Sequence, residues 1–261
     1  MKLTFRAGLA AALYALLLQG AHAQLSGGAG VSAKAVTHTE YDLAGRRLVH
    51  ESGSLPGLVF NAAYKLDDIT WIAAADWYRG AIDYRGQTQN GTAADSTTST
   101  GLASMRVGAA YSVGLDYSIL AALELDEWKR NIRTVGGSAG LQETYRSRRL
   151  LAGASKAWRP AVGTIATDAA IVLSEPERLT VGFSGMFDPV AFETKRSLGI
   201  RIGARIRPAF APYLELSSRY DWVKIARSDD APLTLNGQFR GTVAQPEHTR
   251  QALTLAVSAV F

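Results

Sequence analysis

Apolar and polar residues alternate along most of this chain, and the alternation is cleanest at residues 251–261. There, Leu253, Leu255, Val257, Ala259 and Phe261 share one parity, while small and mostly polar residues occupy the other. Because side chains alternate across a β-strand, the stretch predicts a strand with one apolar face and one small, polar face. This pattern fits the closing strand of a membrane β-barrel, and it also fits an edge strand of a soluble β-sandwich.

The same alternation recurs along the chain and predicts about ten strands, joined alternately by short turns and long polar loops. Long loops are expected at 86–99, 134–141, 176–189 and 228–247. Two details are open, because the start of the first strand is unclear before residue 36 and adjacent Leu150 and Leu151 leave the phase of the sixth strand ambiguous. Pro56 has no N–H to donate to a ladder and predicts a bulge in the second strand.

An even strand count with tight turns at one end and long loops at the other is typical of an antiparallel up-and-down transmembrane β-barrel. Aromatic residues strengthen this interpretation, because they cluster beside the short turns, as an interfacial girdle does. The residues that predict one rim are Tyr64, Trp71, Tyr111, Tyr117, Trp158, Phe210, Tyr213 and Phe261. The fold class is therefore expected to be all-β.

The N-terminus predicts a cleavable signal peptide over residues 1–23. Lys2 and Arg6 precede an apolar run at 7–18, and Ala21-His22-Ala23 fits the small-x-small cleavage rule, so the mature chain is expected to start at Gln24. No later run offers the roughly 18 apolar residues of a spanning helix. Residues 24–261 are then one barrel domain, and the absence of cysteine excludes disulfides and thiolate chemistry.

Charged residues occupy the parity that faces the barrel interior. A ten-stranded barrel is narrow, so charges of both signs are expected to pair across its lumen. Two interpretations follow, a salt-bridged plug or a narrow ion or solute channel. The predicted lumen network consists of Asp76, Arg106, Glu124, Asp126, Asp168, Lys195, Arg201, Arg205, Glu215, Arg219 and Asp221.

A second group of cations lies near the long-loop rim, where lipopolysaccharide phosphates would meet the protein. The planar guanidinium suits phosphate binding, although a solvated loop base would show the same composition. Arg146, Arg148, Arg196 and Arg227 are the residues expected to face lipopolysaccharide.

The strand count, the loop pattern and the opening Tyr41…Gly45-Arg46-Arg47 resemble the omptins, which are outer-membrane endopeptidases that need lipopolysaccharide. The resemblance implies a ten-stranded barrel in the outer membrane. Omptins carry an Asp-x-Asp pair in the second outer loop and an Asp-x-His pair in the fourth. Here the second loop holds a single Asp95, and the fourth holds Asp188 without histidine. No catalytic residue is carried over.

His248 has Asp229 and Asp230 nearby in sequence, and these three residues are the candidates for a base-plus-carboxylate site. The sequence shows no phosphate loop, no metal-ligand spacing and no lipase-type serine motif, so neither a cofactor nor a metal is expected. An exported barrel does not meet nucleic acid. Expected partners are outer-membrane lipid, lipopolysaccharide and, through the strand that ends at Phe261, the barrel assembly machinery, with the protein a monomer.

Three functions stay open at this point. The protein is expected to be non-proteolytic and to act through its outer loops in surface interaction or envelope structure. The alternatives are an omptin-type endopeptidase or other rim-located hydrolase, and a narrow ion or solute channel. Whether the chain is an enzyme is not decided by the sequence.

Overall fold

The computed structural model describes residues 23–87, 92–134 and 140–261. The predicted signal peptide lies almost wholly outside these residues and stays a prediction. None of the described residues forms a helix long and apolar enough to cross a membrane. The strands are Ala23–Tyr41 (β1), Arg47–Leu66 (β2), Ile69–Gln87 (β3), Ala93–Ser112 (β4), Tyr117–Ile132 (β5), Leu141–Trp158 (β6), Gly163–Ser174 (β7), Arg178–Gly182 (β8), Val190–Glu193 (β9), Ser197–Pro208 (β10), Leu214–Ile225 (β11), Ala231–Leu235 (β12), Gln238–Val243 (β13) and Glu247–Val260 (β14).

Ten antiparallel wall strands close into a barrel. The order β5-β4-β3-β2-β1-β14-β11-β10-β7-β6 is completed by pairing of β5 with β6. Strand β8 continues the line of β7 along β6, so β7 and β8 make one wall strand. Strand β9 pairs with β8 as β10 pairs with β7, so β9 and β10 make the next wall strand. Strands β12 and β13 form a separate two-stranded sheet in the loop between β11 and β14. The prediction of a ten-stranded up-and-down barrel is confirmed.

The outside of the barrel carries an apolar band of membrane width. On β5 the outward residues from Tyr117 to Leu125 are apolar, and the next outward positions are Glu127 and Lys129. Nine residues of tilted strand match the hydrocarbon core. Tyr117, Leu125 and the other outward side chains of the band are about half exposed, as lipid-facing residues are. The strands extend beyond this band on the side of the long connections, called here the outer rim.

Alternation predicted the faces of the strands correctly and also left errors. Strand β1 begins at Ala23, well before residue 36, because small residues such as Gly28 and Gly30 pair along β14. Leu150 faces outward and Leu151 is buried in the lumen, which resolves the phase of β6.

No bulge forms at Pro56. The β1–β2 register passes through it unbroken, and β2 and β3 keep one register from Ser52↔Asp83 to Gly57↔Tyr78. Residues 53–56 of β2 are not paired with β3, and this interruption takes the place of the predicted bulge. Gly53 and Gly57 lie beneath the side chains of Ile82 and Tyr78, where an added Cβ would collide with them.

The predicted loop at 86–99 is mostly strand, which corrects the sequence-based boundary. Strand β3 runs to Gln87, and β4 begins at Ala93. Thr98 and Thr100 are buried and face the lumen. Strand residues that face a polar lumen are polar, as loop residues are. The amino-acid composition of 86–99 therefore could not show where the strands end and the loop begins. The predicted loops at 176–189 and 228–247 contain β8 and the β12–β13 pair, and most of 134–141 lies outside the described residues.

Candidate functional site

Two charged layers fill the lumen, and the layer nearer the middle of the membrane is called here the lower layer. Its centre is Arg201 on β10, which reaches across the barrel to Glu124 on β5. Arg201 Nη1 and Nη2 donate to the two carboxylate oxygens of Glu124 at 2.7 and 2.9 Å, and its Nε donates to Asp221. This two-pronged pairing fixes both side chains in a buried setting.

A second bridge crosses the lower layer from β11 to β3. Arg219 Nη2 donates to Asp76 at 2.7 Å, and Lys34 lies 3.6 Å from the same carboxylate. Arg149 on β6 lies 3.3 Å from Asp126 and 3.5 Å from Glu124. Charges from facing walls are therefore joined, rather than left to line an open pore.

The structure brings together seven of the residues predicted for the lumen network and separates the others. Asp168 faces the lumen on β7 near Gly203, and Glu215 pairs with Arg207 at 2.8 Å. Arg205 is exposed, and Lys195 is an exposed surface residue paired with Asp229, so neither belongs to the buried layer. The residues that do lie in or beside the lower layer are Asp76, Arg106, Glu124, Asp126, Arg201, Arg219 and Asp221.

Sequence reasoning missed Lys34 and Arg149 in this layer. Lys34 lies in a small-residue stretch that was not assigned to a strand, and Arg149 lies in the strand with ambiguous phase. Extending the alternation back from Val36 would have placed Lys34 on the inward face.

The upper layer lies above the apolar band and is built around Arg130 on β5, which is 2 % exposed. Its guanidinium contacts three carboxylates, at 2.5 Å from Glu143, 2.9 Å from Glu51 and 3.5 Å from Glu40. The Tyr145 hydroxyl donates to Glu143. Burial raises the pKa values of Glu143 and Tyr145, because desolvation disfavours the charged form of each.

Two buried histidines complete the upper layer. His38 Nε2 donates to Glu40 at 2.9 Å, and the rings of His38 and His248 lie 5.1 Å apart. His248 Nδ1 lies 3.0 Å from the Pro246 carbonyl. Burial and the nearby Arg130 charge hold the pKa of His38 well below its usual range, so this ring is neutral.

Aromatic rings and a second arginine pack around the histidines. Trp128 and Tyr145 stack at 5.6 Å, and the Arg250 guanidinium lies 4.7 and 4.5 Å from their ring centres. Arg250 also donates to Glu177 at 2.7 Å. These cation–π and ionic contacts hold Arg250 in the lumen.

The candidate set of His248, Asp229 and Asp230 is not assembled. His248 is buried and faces Glu177, with Nε2 3.7 Å from its carboxylate. Asp229 pairs with Lys195 and Asp230 with Arg227, and both aspartates are exposed. His248 therefore belongs to the lumen, and its acidic neighbour comes from the far-off 175–177 segment, which sequence proximity could not reveal.

Most of the upper layer was absent from the sequence-based site. Its members outside the prediction are His38, Glu40, Glu51, Trp128, Arg130, Glu143, Tyr145, Glu177 and Arg250. In the described part of the chain, no group of three or more histidine and carboxylate residues is arranged to hold a metal ion. Arg130 and Arg250 occupy the space between the carboxylates and supply the positive charge there.

A cavity of about 80 Å³ separates the two layers, lined by Trp128, Arg149, Arg201 and Arg250 among others. A cavity of this size is large enough to hold ordered water. The lumen therefore contains a small void between the two ionic layers.

The arginines predicted to face lipopolysaccharide lie at the outer rim. Arg146 pairs with Glu127 at 2.9 Å, and Arg148 lies 3.8 Å from Glu175, with both arginine side chains more than two-thirds exposed. Arg196 is exposed, and Arg227 pairs with Asp230.

A groove of about 560 Å³ opens on the barrel exterior where β7 gives way to β8. Arg146, Arg148 and Arg178 line it together with Met105 and Leu125, and Arg148 is the cross-strand partner of Leu125. The groove thus combines cations with an apolar floor at the edge of the membrane band.

Comparison with known proteins gives likenesses of fold. No protein-family model matches the chain, and no curated protein sequence matches it. The crystal structure of outer membrane protease OmpT from Escherichia coli is similar with a TM-score of 0.55, covering 91% of this chain and 96% of OmpT at 8% sequence identity.

Two further likenesses are weaker, and no argument rests on them. The translocator domain of autotransporter NalP from Neisseria meningitidis gives a TM-score of 0.49, with 97% and 93% coverage of the two chains and 11% identity. Outer membrane protein AlkL gives 0.44, with 93% coverage of each chain and 14% identity. The barrel closure, the apolar band and the OmpT likeness together identify the fold as a closed ten-stranded antiparallel β-barrel with a membrane-facing exterior, similar in architecture to the outer membrane protease OmpT.

Proposed function

We propose that this protein is a monomeric outer-membrane barrel with a closed lumen, which acts in surface interaction or envelope structure through its outer loops. The observation that carries the proposal is the lower layer, in which Arg201–Glu124 and Arg219–Asp76 join facing walls. Separating buried, hydrogen-bonded ions is costly, so these pairs favour a plug over an ion path.

The site geometry gives little support to an omptin-type hydrolase. His248 and the two predicted aspartates have separate partners, and Asp95 lies within strand β4. Asp188 accepts hydrogen bonds from the β12–β13 segment instead of facing a histidine. A digest of a peptide library by the purified protein is expected to yield no cleavage products, and sequence-selective cleavage would overturn this part of the proposal.

We propose lipopolysaccharide as the lipid partner of the outer rim. In the exterior groove, Arg146, Arg148 and Arg178 would contact phosphates while acyl chains lie against Met105 and Leu125. Each of these arginines also has an exposed carboxylate partner: Glu127 for Arg146, Glu175 for Arg148 and Glu193 for Arg178. Arg196 and Arg227 would make further contacts from the connections before β10 and after β11.

The test is retention of lipopolysaccharide through purification. The double variant Arg146→Ala/Arg148→Ala is expected to lose most of the bound lipopolysaccharide, because two guanidinium groups leave the groove. Arg46→Ala is the matched control, since Arg46 is exposed but pairs with Asp42 in a turn away from the groove. Equal retention by the double variant and the control would contradict the proposal.

We also propose that strand β14 carries the contact for the barrel assembly machinery. Phe261 exchanges backbone hydrogen bonds with Gly27, and its ring lies over that glycine at the seam where the barrel closes. Phe261→Ala is expected to slow assembly in cells while the refolded protein keeps its stability in vitro. Unchanged assembly would contradict this role.

A further inference from the structure

The β12–β13 hairpin covers the outer mouth of the lumen. Beneath it lies an apolar cluster of Trp128, Tyr145, Leu179, Val181, Val190 and Phe192, all buried. Three hairpin residues, Ala231, Leu233 and Val243, pack against this cluster from above. The upper charged layer lies directly below, because Trp128 and Tyr145 belong to both groups. The hairpin therefore separates the histidines from the outside.

The hairpin is separate from the backbone hydrogen-bond ladder of the barrel wall. Its two strands pair with each other and, in the described part of the chain, with no wall strand. Lifting it would therefore leave the ladder of the barrel intact. Segments with few backbone hydrogen bonds to the body of a protein open at low cost in free energy.

One carboxylate holds the tip of the hairpin. Asp188, in the loop between β8 and β9, accepts hydrogen bonds from Thr234 Oγ1 at 2.7 Å, Gly237 N at 2.9 Å and Asn236 N at 3.1 Å. Its own N–H donates to the Thr234 carbonyl at 2.9 Å. These bonds attach the hairpin turn to a neighbouring loop, and a charged acceptor makes them stronger than neutral ones.

The neck of the hairpin is tied to the charged layer. Ser228 and Gln245 bond to each other through the Ser228 N–H and the Gln245 N–H, at 3.0 and 2.9 Å. The Gln245 side chain then donates to Glu40 at 3.1 Å, on the same oxygen that His38 contacts. Opening of the hairpin would therefore disturb the surroundings of His38 directly.

We propose that the β12–β13 hairpin is a lid, latched by Asp188, which controls access from outside to the apolar cluster and the two histidines below it. The lid closes over a site that has its own aromatic walls and ionisable groups. When the hydrogen bonds to Asp188 break, the hairpin rotates away from the barrel about the Ser228–Gln245 pair. Water and solutes then reach the upper layer.

The chain has no native cysteine, so a single reporter cysteine tests the lid cleanly. Val190 is 7 % exposed and lies in the covered cluster, and Val190→Cys would be labelled with a membrane-impermeant maleimide in lipid vesicles. Labelling is expected to be slow in this background. Adding Asp188→Ala is expected to speed it on the order of ten-fold, because the closed state loses its latch.

Asp230→Ala is the matched control, because Asp230 is an exposed carboxylate of the same region that pairs with Arg227 rather than with the hairpin. It should leave the labelling rate unchanged. A second variant replaces 231–243 with a short glycine linker and keeps Val190→Cys as its reporter. This reporter should react as fast as Gln238→Cys in a protein with the intact hairpin, where position 238 is exposed. Heat-modifiable migration on gels checks that each barrel is folded.

The proposal is overturned if Asp188→Ala labels no faster than Asp230→Ala, or if the unmodified lid already leaves Val190→Cys as reactive as the exposed control. Equal reactivity with and without the hairpin would also overturn it, since the hairpin would then cover nothing. These outcomes do not depend on whether lipopolysaccharide or any surface partner binds.

Discussion

At the residue scale, the lumen shows how buried charge is tolerated in a membrane barrel. Arg201 is 4 % exposed and satisfies two acidic partners, and Arg130 is 2 % exposed between three. Removing one member of such a set leaves an uncompensated charge, whereas an exposed pair contributes little. The two kinds of pair occur side by side in this chain and give a direct comparison.

Arg201→Ala is expected to lower the free energy of unfolding by about 3–5 kcal/mol, because Glu124 and Asp221 lose their central partner. Arg178→Ala, which breaks an exposed pair with Glu193, is expected to cost at most about 1 kcal/mol. Urea unfolding in lipid vesicles measures both. Similar losses for the two variants would show that the lower layer is not a buried network.

His38 makes stability depend on pH. The pKa of His38 in the folded protein is lowered by burial and by Arg130, so the unfolded chain takes up a proton first as pH falls. The free energy of unfolding is therefore not reduced by His38 above the unfolded pKa of about 6.5. It decreases as pH falls below that value, because the unfolded chain binds the proton and the folded protein does not.

Unfolding free energies at pH about 7.5 and about 5.5, on either side of the ordinary histidine pKa, test this assignment. The wild type is expected to lose stability toward the lower pH, and His38→Gln is expected to lose less. An identical pH dependence in both proteins would mean that His38 does not titrate as assigned.

At the element scale, closure of the barrel depends on close approach of β1 and β14. An added Cβ at Gly30 would lie 2.2 Å from the Val257 carbonyl oxygen and 2.4 Å from Ser258 Oγ. Gly30 on β1 thus leaves room for the inward residue Ser258 on β14, its cross-strand partner. The apolar outer face of the same strand meets lipid, and the two faces together explain its alternating sequence.

Gly30→Ala is expected to destabilise the barrel by about 1–3 kcal/mol, because the seam must shift to admit the methyl group. Gly101→Ala is the control, since its nearest neighbour atom would be 3.9 Å from the new Cβ. Thermal unfolding followed by gel mobility compares them. Unfolding of both variants at the same temperature would contradict close packing of Gly30 against β14.

Alternation predicted the wall strands well, because lipid on one side and the lumen on the other impose a period of two on every strand. The prediction failed where neighbouring positions do not differ clearly between apolar and polar residues. Lys34 follows a run of small residues, Arg149 precedes two adjacent leucines, and Thr98 is polar inside a strand. The upper layer was missed for another reason: Arg130 and Glu143 pair across the β5–β6 hairpin, but Glu40 and Glu177 come from distant parts of the chain and reach this layer only when the barrel closes.

At the scale of the whole molecule, ten tilted strands enclose a space that side chains can fill. The lower layer bridges facing walls, the upper layer fills the mouth, and the hairpin covers it. A small cavity between the layers is what remains of the lumen at that level. The closed lumen favours function at the outer surface over transport through the barrel.

Planar-bilayer recording of the purified wild-type protein tests the closed lumen most directly. The wild type is expected to show no discrete current steps. A variant that lacks the 231–243 hairpin and the lumen arginines of both layers (Arg130, Arg149, Arg201, Arg219 and Arg250) is expected to conduct, because neither layer nor the hairpin then closes the lumen. Regular current steps from the wild type, at the same amplitude as those of the variant, would contradict a lumen closed by its charge layers.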